Sequence, residues 1–70
     1  MILDPVFIGN QVRNVRMAAN QSQEEFAEKI NTTARTVSNI ENGTVVPTLQ
    51  TVVDIAESFN CTIESIVRKE

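Results

Sequence analysis

The stretch Gln23–Asn42, with the sequence QEEFAEKINTTARTVSNIEN, decides the fold predicted for this chain. Phe26 and Ile30 are four residues apart in its first half, and Val37 and Ile40 are three residues apart in its second half. Apolar residues at these spacings lie on one face of an α-helix. One continuous helix is not expected, because the intervening Asn-Thr-Thr favours turns and caps. The stretch therefore predicts two short helices joined by a tight turn.

Start and stop signals for helices frame this stretch. Ser22 and Glu25 form the pattern of a capping box, in which each side chain accepts a hydrogen bond from the backbone N–H of the other residue. Asn31 lies where the chain must turn sharply, and asparagine tolerates positive φ better than most residues. Thr33 is predicted to cap the second helix, and Gly43 suits the left-handed position that ends it. Two helices joined by such a turn have the geometry of a helix-turn-helix.

Helical spacing continues on both sides of this motif. The inward positions predicted for a first helix are Ile8, Val12, Val15 and Ala19. Those predicted for a fourth helix, capped by Thr48, are Leu49, Val52, Ile55, Ala56 and Phe59. A fifth helix, capped by Thr62, carries Ile63, Ile66 and Val67. Because no alternating strand pattern is present, we predict an all-α fold of five short helices in a single domain over residues 1–70.

Composition narrows the chemistry that is open to the chain. It has no histidine and a single cysteine, Cys61, so no histidine-based acid–base pair, catalytic triad or His-containing zinc site is expected. Its two glycines, Gly9 and Gly43, cannot form a glycine-rich phosphate loop. We therefore expect no enzyme, no cofactor and no metal site. No apolar run approaches the roughly 20 residues of a membrane span. No signal peptide is expected at the start, so a cytoplasmic location is the default.

The charge balance is acidic, with a net charge of −3 and a pI of about 4.8. Nucleic-acid-binding domains usually carry a basic footprint, so this balance lowers the expected non-specific attraction to DNA. It does not exclude a locally favourable surface. A neutral or positive surface around Arg13, Gln23 and Arg35 would favour DNA as the partner, whereas a negative surface there would favour a protein.

The chain resembles the lambda-repressor-like, or Cro/XRE, helix-turn-helix family of bacterial and phage transcriptional regulators. The resemblance covers roughly residues 8–67. It rests on the segments SQEEFAEKI (22–30), TVSNIENG (36–43), PTL (47–49), VVDIAESFN (52–60) and TIESI (62–66). It implies a lambda-repressor-like domain in which helices two and three form the motif. It further implies a sequence-specific regulator whose recognition helix, about residues 33–42, enters the major groove of double-stranded DNA.

The resemblance also implies roles for individual residues. Gln23 would contact a phosphate and support the recognition helix, and Asn42 would meet a phosphate at the end of that helix. Arg16 and Glu41 match an ion pair that holds the first helix to the recognition helix. Arg35 is the long donor at the start of the recognition helix, so we expect it to hydrogen-bond a guanine. The full set of expected DNA-binding residues is Arg13, Gln23, Thr33, Ala34, Arg35, Thr36, Asn39 and Asn42.

Several positions depart from the family pattern. Asn31 stands where glycine is usual, and Thr32 stands where an apolar residue is usual. Thr44-Val45-Val46 follows the motif where Lys or Arg is frequent. Fewer cations there predict fewer phosphate contacts, and hence weaker and less salt-sensitive binding. Ala34, among the base-facing positions, can recognise only apolar features such as a thymine methyl group.

Members of the family commonly pair across a two-fold axis on a palindromic operator, and we expect a homodimer here. The residues expected at its interface are Val53, Ile63, Ile66 and Val67. The apolar first residues Ile2, Leu3, Val6 and Phe7 would extend the same surface. A monomer of this size would leave such a patch exposed, which is uncommon without a partner. The alternative function is a protein-interaction module, such as an antitoxin or another partner-binding regulator, because fold does not dictate function.

Overall fold

The computed structural model describes residues 3–69, and this part of the chain forms five helices and no strand. The helices are α1 (Pro5–Ala18), α2 (Gln23–Lys29), α3 (Ala34–Glu41), α4 (Leu49–Ser58) and α5 (Ile63–Val67). The predicted all-α architecture is confirmed. Helix α1 begins before the apolar stripe that starts at Ile8, because the Asp4 carboxylate accepts hydrogen bonds from the N–H groups of Val6 and Phe7.

The other four helices begin at the predicted cap residues. Ser22 and Glu25 form both hydrogen bonds of the capping box, at 3.0 and 2.8 Å. The hydroxyl groups of Thr33, Thr48 and Thr62 each accept from the N–H three residues later, at 3.2, 3.2 and 3.1 Å. Each of these bonds satisfies an N–H that the first turn of a helix leaves without a partner. The four predicted N-caps are therefore confirmed.

The first four helices end at a residue with left-handed backbone geometry. The φ angle is 55° at Asn20, 57° at Asn31, 76° at Gly43 and 54° at Asn60, which confirms the positive φ expected at two of these positions. In each case the N–H of the next residue donates to the carbonyl five residues back, at 2.9 to 3.2 Å, as in a Schellman motif. Three of these joints share one pattern: a left-handed asparagine, one further residue, and a Ser or Thr that caps the next helix.

One apolar core connects the five helices. Its buried side chains are Ile8, Val12, Phe26, Ala27, Ile30, Val37, Ile40, Val52, Ile55 and Ile66. The rings of Phe26 on α2 and Phe59 at the end of α4 stack with their centroids 4.6 Å apart. Stacked rings at this separation contribute beyond the area that they bury. The inward positions predicted for α2 and α3 are all part of this core.

Three expectations about apolar positions are wrong. Leu49 was expected to face inward but is 73% exposed, because it is the first residue of α4 and the buried side of that helix begins at Val52. Ala19 is exposed because α1 has already ended at Ala18. Ile66 was expected at a dimer interface, but it is fully buried. It is the buried residue of the five-residue helix α5 and holds that helix on the core.

Helix α1 crosses the C-terminal end of α3 at Gly9. A Cβ atom at this position would collide with the carbonyl oxygen of Ile40 and would lie 3.0 Å from the carbonyl oxygen of Glu41. Glycine is required here because only a residue without a side chain lets the two backbones approach so closely. This approach places the arginines of α1 beside the last residue of α3.

Candidate nucleic-acid interface

The helix-turn-helix presents one side of α3 to solvent. The buried residues of α3 are Val37, Ile40 and Glu41. Residues spaced by three and four positions share a helix face, and the stripe opposite these buried residues consists of Arg35, Ser38, Asn39 and Asn42. Ser38 was not among the residues predicted for this surface, although its position three residues after Arg35 places it there.

A hydrogen-bonded cluster around Glu41 joins α1, α2 and α3. Glu41 is 4% exposed. Arg16 donates from Nε to Oε2 at 2.7 Å and from Nη2 to Oε1 at 3.0 Å. Gln23 Nε2 donates to Oε1 at 3.2 Å, and Arg13 Nε lies 3.5 Å from the same oxygen. Arg16 Nη1 also donates to the carbonyl of Gln21 at 2.9 Å, in the connection between α1 and α2. The structure thus brings four predicted site residues together at the C-terminal end of α3.

The contacts in this cluster lower the pKa of the Glu41 carboxyl group. Burial alone would raise the pKa of Glu41, but hydrogen bonds from Arg16 and Gln23, with the charge of Arg16, outweigh burial and lower the pKa. The hydrogen bond to Glu41 in turn raises the pKa of Arg16. The Glu41 carboxylate therefore faces the guanidinium groups of Arg16 and Arg13 within the cluster.

Several polar groups on and beside α3 already have partners in the protein. The Thr33 hydroxyl caps the N–H of Thr36 at 3.2 Å and donates to the Thr36 hydroxyl at 3.1 Å. The Asn42 amide nitrogen donates to the Ser38 hydroxyl at 3.4 Å. These contacts limit how freely four polar side chains can meet a ligand: those of Thr33, Thr36, Ser38 and Asn42.

Arg35 and Asn39 differ from their neighbours on α3. Within residues 3–69, neither the guanidinium of Arg35 nor the side-chain amide of Asn39 makes a hydrogen bond or an ion pair. Arg35 is exposed, and Asn39 is half-buried. Ala34, at the start of α3, is also half-buried and adds a methyl group to this surface.

The cations of the chain differ in their availability. Arg68 and Lys69, which follow α5, are each paired with a carboxylate at 3.1 Å. In the described part of the chain, Lys29 and Arg35 form no ion pair within 4.0 Å. Arg13 makes only the 3.5 Å contact to Glu41, and its side chain is 45% exposed. The available positive charge therefore lies on the first three helices, on the part of the molecule that carries the motif.

A separate apolar groove of about 270 Å³ lies between the connection that precedes α4 and helix α5. Its lining residues are Leu3, Ile8, Val46, Pro47, Leu49, Val52, Ile63 and Val67. Two of the expected interface residues, Ile63 and Val67, thus line one surface, whereas Val53 is half-buried outside the lining. Among the first apolar residues, Phe7 packs against the core, Val6 is exposed, and Ile2 lies outside the described residues.

Two further kinds of site, a metal centre and a membrane span, have no counterpart in residues 3–69. No group of three or more Cys, Asp or Glu side chains is arranged there to hold a metal ion. None of the five helices is long and apolar enough to cross a membrane.

The fold and the capped helix pair define a helix-turn-helix protein, and comparison with known sequences agrees. The helix-turn-helix family model HTH_3 matches residues 12–66. The chain therefore belongs to this helix-turn-helix family, as its resemblance to Cro/XRE regulators implied. It is similar to YgzD of Bacillus subtilis, an uncharacterized HTH-type transcriptional regulator. The two are 33% identical over 57 residues, which cover 81% of this chain and 86% of the relative.

Solved structures share the fold at lower sequence identity. The restriction-modification controller protein C.AhdI from Aeromonas hydrophila superposes with a TM-score of 0.83 at 24% identity, covering 90% of this chain and 91% of that chain. The P22 c2 repressor protein, solved in complex with synthetic operator 9T, has a TM-score of 0.85 at 12% identity, covering 91% and 97%. The lambda-repressor-like fold is thus confirmed. The expectation of a regulator rather than an enzyme agrees with the family match and with YgzD, which is described as an HTH-type transcriptional regulator.

Proposed function

We propose that this protein is a sequence-specific regulator of transcription that inserts α3, with its cap and end residues (about 33–42), into the major groove of double-stranded DNA. The observation that carries the proposal is the solvent-facing stripe of α3, which is polar and rich in hydrogen-bonding groups. The buried Glu41 cluster holds this helix against the other two. The proposal is further supported by the family match and by the related fold of a repressor solved with its operator.

We assign phosphate contacts to Arg13 and Gln23, with Asn42 at the end of α3. Both Arg13 and Gln23 donate to Oε1 of Glu41, so the buried carboxylate orients them. A guanidinium has five N–H donors, and only Nε of Arg13 faces Glu41. The connection after α3 exposes Val45 and Val46 where cations would add phosphate contacts. We therefore expect moderate affinity with a shallow dependence on salt.

The remaining members of the site flank these contacts. Thr33 and Thr36 are held by their own hydrogen bonds at the start of α3, so we assign them to the surrounding backbone and groove wall. The methyl group of Ala34 fits a thymine methyl group. A regulator of this kind would act on DNA in the bacterial cytoplasm.

We further propose that a second copy of the chain covers the apolar groove. One recognition helix contacts only a few base pairs, which are too few to select one site in a genome. Two copies related by a two-fold axis would present their recognition helices to half-sites roughly 34 Å apart on a palindromic operator. Leu49, Ile63 and Val67 give the groove an apolar wall of the kind that a monomer seldom leaves exposed.

Selection from a pool of random DNA duplexes tests the function directly. We expect one palindromic sequence to be enriched. Asn39→Asp, which adds a negative charge to the stripe on α3, should then abolish binding to that sequence. Asn60→Asp adds the same charge at an exposed turn outside α3 and should leave binding nearly unchanged. Absence of any enriched sequence, or an enriched sequence that Asn39→Asp binds as tightly as the wild type does, would contradict the proposal and would favour the protein-interaction module.

A further inference from the structure

We infer that Arg35 and Asn39 divide the recognition of each half-site, Arg35 binding a guanine and Asn39 binding an adenine one or two base-pair steps away. This inference rests on the proposed function and narrows it to a class of operator. It assigns base recognition to two residues of the stripe and leaves the other polar residues to position the helix.

The assignment follows from which hydrogen-bonding groups the protein itself already uses. Gln23 is bound to Glu41, and Asn42 is bound to Ser38. Within residues 3–69, the side chains of Arg35 and Asn39 have no such partner, although both lie on the outward stripe of α3. A polar side chain that enters the groove without a partner must find one on the DNA, because an unpaired buried polar group is costly.

The chemistry of the two side chains determines which base each one fits. A guanidinium only donates, and guanine presents two acceptors, O6 and N7, on its major-groove edge. A carboxamide has both a donor and an acceptor, and adenine presents the N7 acceptor beside the N6 donor. Arg35 therefore matches guanine, and Asn39 matches adenine. The reverse assignment would leave a donor facing a donor at adenine N6.

The geometry of α3 sets the distance between the two bases. Arg35 and Asn39 are four residues apart, so they share one face and are separated by about 6 Å along the helix axis. Successive base pairs are about 3.4 Å apart, so the two side chains meet different base pairs, one or two steps from each other.

The end of α3 is held firmly enough to present a short side chain. The carbonyl of Asn39 accepts from the Thr44 N–H at 3.1 Å and from the Thr44 hydroxyl at 2.9 Å. Asn39 cannot extend toward a base as arginine can, so its backbone must be placed accurately. Two hydrogen bonds at its own carbonyl supply that placement.

Selection from random duplexes should first yield a half-site with a guanine and an adenine within two steps. The wild type should prefer each of these bases over the alternatives by a factor of roughly 5 to 150 in affinity. Arg35→Ala should abolish the preference for the guanine alone, and Asn39→Ala should abolish the preference for the adenine alone. Asn42→Ala is the matched control, since it removes an amide from the same stripe. It should weaken binding evenly across sequences without changing the preferred base at any position.

Modified bases test the inference without changing the protein. Replacing the guanine by 7-deazaguanine, or the adenine by 7-deazaadenine, removes the N7 acceptor, one of the two groups in each contact, and should weaken wild-type binding by a smaller factor than the loss of the side chain. Arg35→Ala should be insensitive to the first replacement, and Asn39→Ala to the second. An enriched palindrome without this pair of bases, or variants that keep the wild-type preference, would overturn the inference and leave the proposed function intact. Absence of any enriched sequence would overturn both.

Discussion

The Nε atom of Arg16 lies 2.7 Å from Oε2 of Glu41, and this contact connects the first helix to the last residue of α3. The second guanidinium contact, from Nη2 to Oε1 at 3.0 Å, makes the pair bidentate. The Glu41 side chain is fully shielded from solvent, whereas 17% of the Arg16 side chain is exposed. Loss of either partner would leave a charge with little access to water, so this pair offers a sensitive test of how α3 is held.

Glu41→Ala should destabilise the protein by roughly 3–5 kcal/mol, because it leaves Arg16 partly buried without its counter-ion. Urea unfolding followed by circular dichroism measures this change. Glu24→Ala is the control. Glu24 is an exposed residue in the first turn of α2, so its replacement should change the stability of the protein little. Equal unfolding midpoints for the two variants would show that the pair does not stabilise the fold.

The stability that depends on Glu41 should vanish in acid. Because the folded-state pKa of Glu41 is lowered, its stabilisation is fully present above the unfolded-state pKa and is lost as the pH falls through the folded-state value. Glu41→Gln cannot ionise at this position. The deficit in its free energy of unfolding, relative to the wild type, should therefore be large at about pH 7 and smaller at about pH 3. Urea midpoints at the two pH values give the comparison. A deficit that stays constant, or grows in acid, would contradict the lowered pKa.

Gly9→Ala should destabilise the protein even though alanine is the better helix former. Propensity alone would favour alanine by about 1 kcal/mol in α1. The added Cβ would meet the carbonyl oxygen of Ile40, which belongs to the backbone and cannot rotate away, so we expect a net loss of about 1–3 kcal/mol. Asn14→Ala, at an exposed position of α1, should be neutral or stabilising. If thermal melts showed that both variants were stabilised, the close crossing of α1 and α3 would be refuted.

Ile63→Asp should convert a homodimer into a folded monomer, because it places a charge in the apolar groove that we assign to the second copy. Sedimentation equilibrium at micromolar concentration reports the assembly state, and operator binding should weaken with it. Met17→Asp places the same charge on an exposed apolar residue of α1 outside the groove and should leave the dimer intact. A wild type that sediments as a monomer and binds a palindrome without cooperativity would rule out this arrangement.

Much of the fold is predictable from sequence because its signals are local. The caps at Ser22, Thr33, Thr48 and Thr62 each involve residues within three positions of one another. The left-handed turn at Asn31 likewise depends on one residue and its immediate neighbours. The spacing of apolar residues then identifies the buried faces of α2 and α3. Such features require no knowledge of which helices pack together.

Features that depend on distant contacts could not be derived in this way. Gly9 is constrained by a carbonyl 31 positions along the chain, and no nearby residue signals this. Ile66 and Leu49 have similar apolar side chains, but only packing decides that the first is buried and the second exposed. In the site, the pairing of Arg16 with Glu41 was expected only from family resemblance. The hydrogen bond from Gln23 to Glu41 was not expected, because it joins residues 18 positions apart.

The three joints built from a left-handed asparagine and a Ser or Thr cap bear on how fast the chain folds. Each joint is closed by hydrogen bonds that span only a few residues, so little loop-closure entropy is lost in forming it. Chains rich in local contacts of this kind fold within microseconds to milliseconds. A newly made copy would therefore spend little time with its core open, which is the state in which apolar side chains such as Phe26 and Phe59 can aggregate with other chains.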